Sequence, residues 1–536
     1  MAESFESLPP KSLWSRPSVS RRSFMKWGAV AGLGAVSLES ILAACAPSSN
    51  SPTGTIIKPG GKLRAAIAGQ PDSLDPQTSK LYASAQVYDN LFSKLIDIDT
   101  DGSIVGMLAT KWTQRDDRTW VFDLREGVHF HNGDKFTAND VKYTFERMLD
   151  PKTASTYATF FTPLSGVEVA SPTQVIFHLS SPYGPFLTNL AADGQIMNQR
   201  AVESSNSAQN PVGTGPFQFV DWVQGDHITL KKFGQYFQPG RPFLDQVTIY
   251  TGRAVDEARV AALRAGELDW LDGVPDQDFT ALQADSSLRS VVSTTAGYPE
   301  FFLFNTAKPP MNNKLLREAV ALAIDRKQIR DIVYFKAGEV GSEEVPTGST
   351  WYSHNDPFTA GPNLDLARQK FQQSGASQGL TLRFLAYTQS PQPAKVGEVL
   401  AQQLKPLGIN VEVDAFDTAV WFSKLIHNDY EISILFNERT IDPDGFYSLF
   451  WVKNGGDNST GYYNPTIEPL IQGAAAETDP GKRRSLYTQV RQVVFDDLPG
   501  MFIHYRVFSY FMRGNVAGST SNPTLELRFD RVGFTS

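Results

Sequence analysis

Several residue groupings in this chain could carry chemistry, and each is tested first by its spacing. His129 and His131 form an H-x-H pair. On a strand, residues i and i+2 face the same side, and imidazole suits Zn, Cu or Ni. No third ligand lies close in sequence, so no metal site is assigned. Gly213-Thr214-Gly215 has the flavour of a phosphate loop but lacks the G-x-x-x-x-G-K-[ST] pattern. It reads as a tight turn entering a strand from Phe217 to Trp222. Asp442 and Asp444 are two carboxylates flanking Pro443. A glycosidase pair needs a defined separation across a sugar bond, whereas Asp-Pro-Asp reads as a turn with an Asx cap. There is no H-E-x-x-H helix motif. These residues point to a binding protein rather than an enzyme, with no cofactor and no metal.

The elements that would position a binding site lie between Leu380 and Phe446. Leu380, Leu382 and Phe384 alternate with Thr381 and Arg383, which predicts a strand. Val396, Val399, Leu400, Leu404 and Leu407 recur at helical spacing, and Gly408 follows as a C-terminal cap. Ile409, Val411 and Val413 alternate again, a short amphipathic helix spans Val420 to Ile426, and Ile432, Ile434 and Phe436 form a third strand. Strands joined by helices are expected to run parallel, with right-handed crossovers. Ligands collect beyond the carboxyl ends of such strands. Those ends carry Tyr387, Asp417 and the run Asn437-Glu438-Arg439.

The chain has 536 residues, too many for one hydrophobic core, so two or three domains are expected. With 41% hydrophobic and 20% charged residues, it has the composition of a globular protein. A net charge of -8 without a Lys/Arg stripe excludes nucleic acid as a partner. A single cysteine, Cys45, rules out an internal disulfide and a Cys-based zinc site.

The leader accounts for that cysteine. Arg16, Arg21, Arg22 and Lys26 precede a weakly apolar run from Trp27 to Ala44, shorter than a membrane span requires. Ser20-Arg21-Arg22-Ser23-Phe24-Met25-Lys26 resembles the twin-arginine export motif, and Leu42-Ala43-Ala44-Cys45 resembles a lipobox. The resemblance implies export through Arg21 and Arg22, and a lipid on Cys45 that anchors the protein to the membrane. Ala46 to Gly61, rich in Ser, Pro, Thr and Gly, reads as a flexible tether. The functional part is expected outside the cytoplasmic membrane, in the periplasm or at the cell surface.

Several blocks then carry a family resemblance. Gly60-Gly61-Lys62-Leu63-Arg64 and Pro71-Asp72-Ser73-Leu74-Asp75-Pro76 begin it, and Arg118 to Pro151 continues it with a helix opening at Thr137 and Asp140. Gly213-Thr214-Gly215-Pro216-Phe217 and the helix ending Ala323-Ile324-Asp325-Arg326 follow in order. From Gly60 onward the chain resembles the family 5 extracellular solute-binding proteins, the dipeptide/oligopeptide-type receptors of ABC importers. The resemblance implies an α/β periplasmic binding protein of type II: two lobes and an extra domain, closing around solute by a hinge. It implies a signal at 1–45 and a tether at 46–59. Domain I would take 60–84, 196–297 and 506–536, domain II 85–195, and domain III 298–505. It further implies a monomer that delivers solute to an ABC permease and ATPase complex.

The resemblance also sharpens the loop after Phe436. Peptide-binding members carry there an Asp that pairs with the peptide amine, and by the Asp442-Pro443 register that position is Arg439. A guanidinium favours carboxylate or phosphate. The expected solute is therefore peptide-like or acidic, an opine-like conjugate, a modified peptide or an organic acid. Oligosaccharide or nickel binding, and a chemoreceptor-coupled module, stand as alternatives on the same fold. Arg439 either meets the solute or pairs with Glu438, Asp442 or Asp444. Phe436 matches an aromatic wall position of the family. Asn437, Tyr387 and Trp421 complete the candidate ligand residues.

Overall fold

The computed structural model describes residues 56–535 apart from 80, 253–255, 296, 359 and 438–440. Arg21, Arg22, Cys45 and Arg439 lie outside the described residues. A segment from Thr55 to Ser536 forms one compact unit, and its architecture is α/β.

The region expected to hold the site is built around a six-stranded sheet. Its order is Glu339–Val340, Gly500–Tyr505, Pro299–Phe304, Ile432–Phe436, Thr381–Tyr387 and Asn410–Phe416. Thr381–Tyr387 pairs in parallel with both Asn410–Phe416 and Ile432–Phe436. The alternation in the sequence therefore gives the expected parallel β-α-β-α-β unit, crossed by the helices Gln392–Leu404 and Thr418–Ile426. Gly408, at φ 75°, stops the first crossover in the left-handed region open to glycine. Asp417 is spent on the second: its carboxylate accepts the Ala419 and Val420 N–H groups, both at 3.1 Å. It is a helix cap, not a free ligand group at the strand end.

The other three pairings are antiparallel, so the sheet is mixed, and both of its faces are covered. Phe302, Phe304, Leu382 and Phe384 point into one core with the helices Lys314–Ala323 and Gln392–Leu404. Their neighbours Phe301, Leu303, Leu385 and Tyr387 point into another, built with Trp421, Phe446 and Trp451. The second, aromatic core underlies the candidate site. Capping in the covering helices follows the sequence: Asn313 accepts from Leu315 N–H at 3.0 Å, and Asp325 from Gln328 N–H at 2.8 Å.

A seven-stranded sheet lies at the start of the unit. It contains Lys62–Ala66, Gln246–Tyr250, Phe217–Val223 and the returning strand Ser509–Arg513. A four-stranded antiparallel sheet takes the order Ala109–Asp116, Thr119–Leu124, Gln174–Leu179 and Leu164–Ser171. The apolar pair Val128 and Phe130 flanks a single bridge, His129 to Lys135, rather than a full strand. The turn at His131–Asp134 folds the chain back too soon for a ladder, with Phe130 N–H bonded to Asp134 O at 2.8 Å.

The chain crosses between the six- and seven-stranded sheets along two neighbouring segments. One connects Leu288–Val292 to Pro299–Phe304, the other Gly500–Tyr505 to Ser509–Arg513. They are tied together by Ser293 N–H to Phe508 O (2.9 Å) and Arg506 N–H to Tyr298 O (3.1 Å). Two adjacent chain crossings between sheets are the structural form of a hinge.

Candidate functional site

A cavity of about 760 Å³ opens where the six-stranded sheet faces the rest of the unit, within the size range of small-molecule sites. One wall comes from the helix Thr418–Ile426, the end of Ile432–Phe436 and the helix Asp444–Phe450. The facing wall comes from the helix Tyr82–Tyr88, the segment around Tyr157 and the helix Phe186–Asp193.

Of the sequence-predicted residues, Phe436, Asn437 and Trp421 all line this cavity. Asn437 N–H is held by Pro299 O at 3.1 Å, which fixes where the strand leaves the sheet. Trp421 is buried, and its indole N–H reaches Ser433 Oγ at 3.3 Å. Tyr387 is not on the cavity surface. It packs edge-on behind Trp421, with ring centroids 5.2 Å apart, and is buried. Its place at the end of a central strand puts it under the wall, where it supports Trp421.

Phe436 belongs to a cluster that sequence reasoning missed. Tyr298 stacks on it at 6.0 Å and 20°, and the Arg506 guanidinium lies over its ring at 5.6 Å. Phe508 meets Tyr298 edge-on at 4.5 Å, and Tyr82 at 5.8 Å. Tyr298, Arg506 and Phe508 are all on the two crossing segments, so the aromatic wall is continuous with the hinge. Arg506 also approaches buried Glu300, whose carboxylate is bonded to His504 Nδ1 at 3.0 Å. Burial pushes that carboxyl up. The His504 hydrogen bond and the Arg506 charge outweigh it and hold the group below its usual range. The signal was present in the sequence: Glu300 sits inside the apolar strand Pro299–Phe304, and a buried carboxylate needs a partner.

The Asp-Pro-Asp segment forms the expected turn: Asp444 N–H bonds to Asp442 Oδ1 at 3.0 Å. Asp442 is then taken by Arg483 in a bidentate pair, Nη1 to Oδ2 and Nη2 to Oδ1, both 2.8 Å, with both side chains about 95% buried. Asp444 lines the cavity and accepts from Ser448 Oγ at 2.5 Å. Burial and the neighbouring Asp442 raise its carboxyl to about 6.

The opposite wall is also acidic. Asp89 and Glu526 line the cavity, in front of a buried charge network. Lys94 pairs with Glu526 and with Asp97 (3.3 Å), and Arg528 with Asp97 (2.6 Å) and Glu526. Asp89 accepts from Gln195 Nε2 at 3.3 Å, and burial raises it to about 7 against the opposing pull of Lys94 and Arg528. A carboxyl raised from 3.8 to about 7 binds its proton more tightly in the folded chain than in the unfolded one. Its contribution to stability is therefore greatest below pH 4 and is lost as pH rises through 7, on the order of 4 kcal/mol. Asp89→Asn is expected to remove this fall, seen as a flatter melting temperature between pH 4 and 7 than in the parent chain.

Among the described cavity-lining residues there are Asp and Glu side chains but no Lys or Arg. Catalytic groupings do not assemble there. His131 is half-buried and both ring nitrogens meet backbone: Gly213 N–H donates to Nδ1 (3.4 Å) and Nε2 faces Gly215 O (3.0 Å). Burial lowers its ring to about 4, so it remains neutral. It pins the Gly213–Gly215 turn. Those glycines press so closely on the backbone at Leu91 that a Cβ would lie 2.1–2.7 Å from its carbonyl oxygen. Gly375-Ala376-Ser377-Gln378-Gly379 matches the lettering of a nucleophile elbow. It lies after the helix Leu364–Ser374 and before the strand Thr381–Tyr387, the reverse of the strand-turn-helix order that chemistry needs.

Comparison with known proteins agrees with this reading. The family model for bacterial extracellular solute-binding proteins, family 5 Middle, matches residues 103–458. The oligopeptide-binding protein OppA of Bacillus subtilis (strain 168) is 28% identical over 509 residues, 87% of this chain and 92% of that one. The probable D,D-dipeptide-binding periplasmic protein DdpA of Escherichia coli (strain K12) is 26% identical over 92% of this chain and 98% of its own. The structure of the PBP AgaA from A.tumefacien R10, in complex with agropinic acid, superposes with a TM-score of 0.73 at 26% identity. It covers 89% of this chain and 99% of its own. These are binding proteins, not enzymes, with the periplasmic-binding-protein fold. The chain belongs to the bacterial extracellular solute-binding proteins of family 5, the receptors of ABC importers, and works outside the cytoplasmic membrane.

Proposed function

We propose that this protein captures a peptide-like solute carrying both a cationic and an acidic group, and delivers it to an ABC permease and ATPase complex. The observation that carries this reading is the cavity of about 760 Å³, with an aromatic floor of Trp421 and Phe436 and a facing rim of Asp89 and Glu526. Carboxyl groups on the walls favour an ammonium in the solute and repel a wholly acidic one. Arg439 is assigned the solute's carboxylate. It lies two residues along the chain from Asn437 and two from Ile441, both cavity-lining positions. The engagement of Asp442 by Arg483 removes one of the acidic partners that would otherwise compete for it.

A charge-assisted bond to carboxylate contributes about 1.5–3 kcal/mol. Arg439→Ala is expected to weaken binding of free-acid peptides by about 10–150-fold, and of their C-terminal amides little, in calorimetric titration. Equal affinities for acid and amide in the parent chain would remove Arg439 from the site. An opine-like conjugate is the second reading, favoured by the likeness to AgaA, whose structure contains agropinic acid. Phe436, Asn437 and Trp421 form the wall in either case, and Tyr387 backs it.

The remaining proposals rest on sequence. Arg21 and Arg22 direct export, Cys45 carries the lipid anchor, and the protein acts as a monomer with domains divided at the boundaries given above. Fractionation tests the anchor: Cys45→Ala is expected in the soluble fraction, and its retention in membranes would contradict lipidation.

A further inference from the structure

The seven-stranded and six-stranded sheets also meet outside the cavity, through the helices that cover them. The helix Asp276–Gln283 belongs to the seven-stranded side: Phe279 packs edge-on against Phe511 at 6.0 Å, and Leu282 joins their cluster. The helix Gln392–Leu404 belongs to the six-stranded side, with Val396, Leu400 and Leu404 in its core. The first residues of the two helices are bonded to each other. Gln392 Nε2 donates to Asp276 Oδ2 at 3.1 Å.

Ala337 makes a second contact of the same kind. It precedes the strand Glu339–Val340 of the six-stranded sheet, yet it is buried in the cluster of Phe279, Leu282 and Phe511. His504 holds it from the six-stranded side. Its Nδ1 meets Glu300 Oε2 and its Nε2 meets Ala337 O, both at 3.0 Å, and its ring stacks on Tyr334 at 3.8 Å. The loop is pressed onto that ring. Phe335 (φ 51°) and Lys336 (φ 68°) take left-handed backbone, which is uncommon for residues with a side chain. Gly338 follows at φ 77°, and a Cβ there would run into Tyr505 O and His504 Nε2. Such a conformation persists only where its neighbours hold it.

Asp276 lies within reach of the same charges. Burial raises its carboxyl, against the Gln392 hydrogen bond and the charges of Arg506 and His504, while Glu300 adds to the rise. Asp276, Gln392, Ala337, Glu300 and His504 are all absent from the described residues that line the cavity.

We propose that Asp276 and Gln392 are positioning residues: their bond, beside the Ala337 contact, latches the two sheets in the arrangement in which the cavity walls meet. In that arrangement Gly184 N–H is bonded to Ala475 O at 2.8 Å. Turning the sheets about the two crossings changes the gap between the helix ends, so the bond favours the closed arrangement over the others. Solute capture then depends on side chains that never touch solute. The inference goes beyond the choice of solute and is tested without one.

Double electron–electron resonance on the solute-free full chain reads the separation of the walls. The spin labels are placed at Lys152→Cys and Asn454→Cys, both exposed positions, in a Cys45→Ala background. Asp276→Ala is expected to raise the ratio of wide to narrow separations by about threefold or more. Gln392→Lys, which sets an ammonium against the carboxylate, is expected to lower that ratio by about the same factor. Adding Asp276→Ala to Gln392→Lys is expected to cancel the gain in closure, which a loss of fold would not produce. Unchanged separations in both single variants would overturn the latch, as would narrowing by Asp276→Ala or widening by Gln392→Lys. Failure of the peptide-like reading has a separate signature: peptides would not bind the parent chain, while the separations would still respond to both variants.

Discussion

Replacing Arg483 with methionine is expected to destabilise the protein by about 3–5 kcal/mol, the cost of leaving a buried carboxylate without its partner. Asp442 and Arg483 are both about 95% buried, and the guanidinium serves several roles at once. It holds both carboxylate oxygens, donates through Nε to Ala474 O at 2.9 Å, and lies over Trp351 and Tyr487 at 5.1 and 5.4 Å. Methionine fills much of the space and supplies none of these. The double variant Arg483→Met with Asp442→Leu is expected to recover a large part of the loss, because it removes the stranded charge. Thermal melting of the single and double variants checks this, and equal melting temperatures would show that the pair is not what holds the turn. Since Asp442 ends the segment that leaves the sheet at Asn437, the single variant is also expected to weaken solute binding.

Substituting Gly184 with valine is expected to act on affinity rather than on the fold. A Cβ at this position would lie 2.2 Å from Glu477 O and 2.6 Å from Arg483 Nε, and neither can retreat: one is backbone, the other is held by Ala474 O. The contact joins the region of the four-stranded sheet to the helices Ile467–Ala476 and Pro480–Asp497 across the cavity. Valine therefore penalises the arrangement in which the walls meet and leaves the separated one untouched. Overpacking typically costs about 1–3 kcal/mol, equivalent to about a 5–150-fold rise in Kd if solute binds only the closed arrangement. Calorimetry with a bound peptide gives the affinity, and small-angle scattering reads whether solute still compacts the chain. Unchanged affinity with normal compaction would show that closure does not pass through Gly184.

The parts of this molecule that could be read from sequence are those governed by local rules. The strands at 381–387, 410–416 and 432–436 follow from alternation, and the caps at Asn313, Asp325 and Gly408 from single side chains meeting adjacent backbone. Trp421, Phe436 and Asn437 reached the cavity because strand ends and the helices beside them do so in a parallel β-α-β-α-β unit. Asp417 and Tyr387 show the limit of that argument. Both stand at strand ends, yet one is consumed as a helix cap and the other is buried behind Trp421. Tyr298, Arg506 and Phe508 were missed because their proximity depends on pairing segments some 200 residues apart, which no local pattern encodes. The acidic far wall was missed for the same reason: Asp89 and Glu526 belong to opposite ends of the unit and meet only through the Lys94–Arg528 network.

The central claim is that a peptide-like solute with opposite charges binds between these walls. Thermal melting of the parent chain against short peptides, their C-terminal amides, opines, sugars and Ni²⁺ tests it most directly. A ligand present at a hundredfold excess over its Kd adds about 2.7 kcal/mol to the folded state. The account predicts that free-acid peptides or opine-like conjugates raise the melting temperature and that their amides, sugars and Ni²⁺ do not. A rise with sugars or Ni²⁺ alone would contradict it.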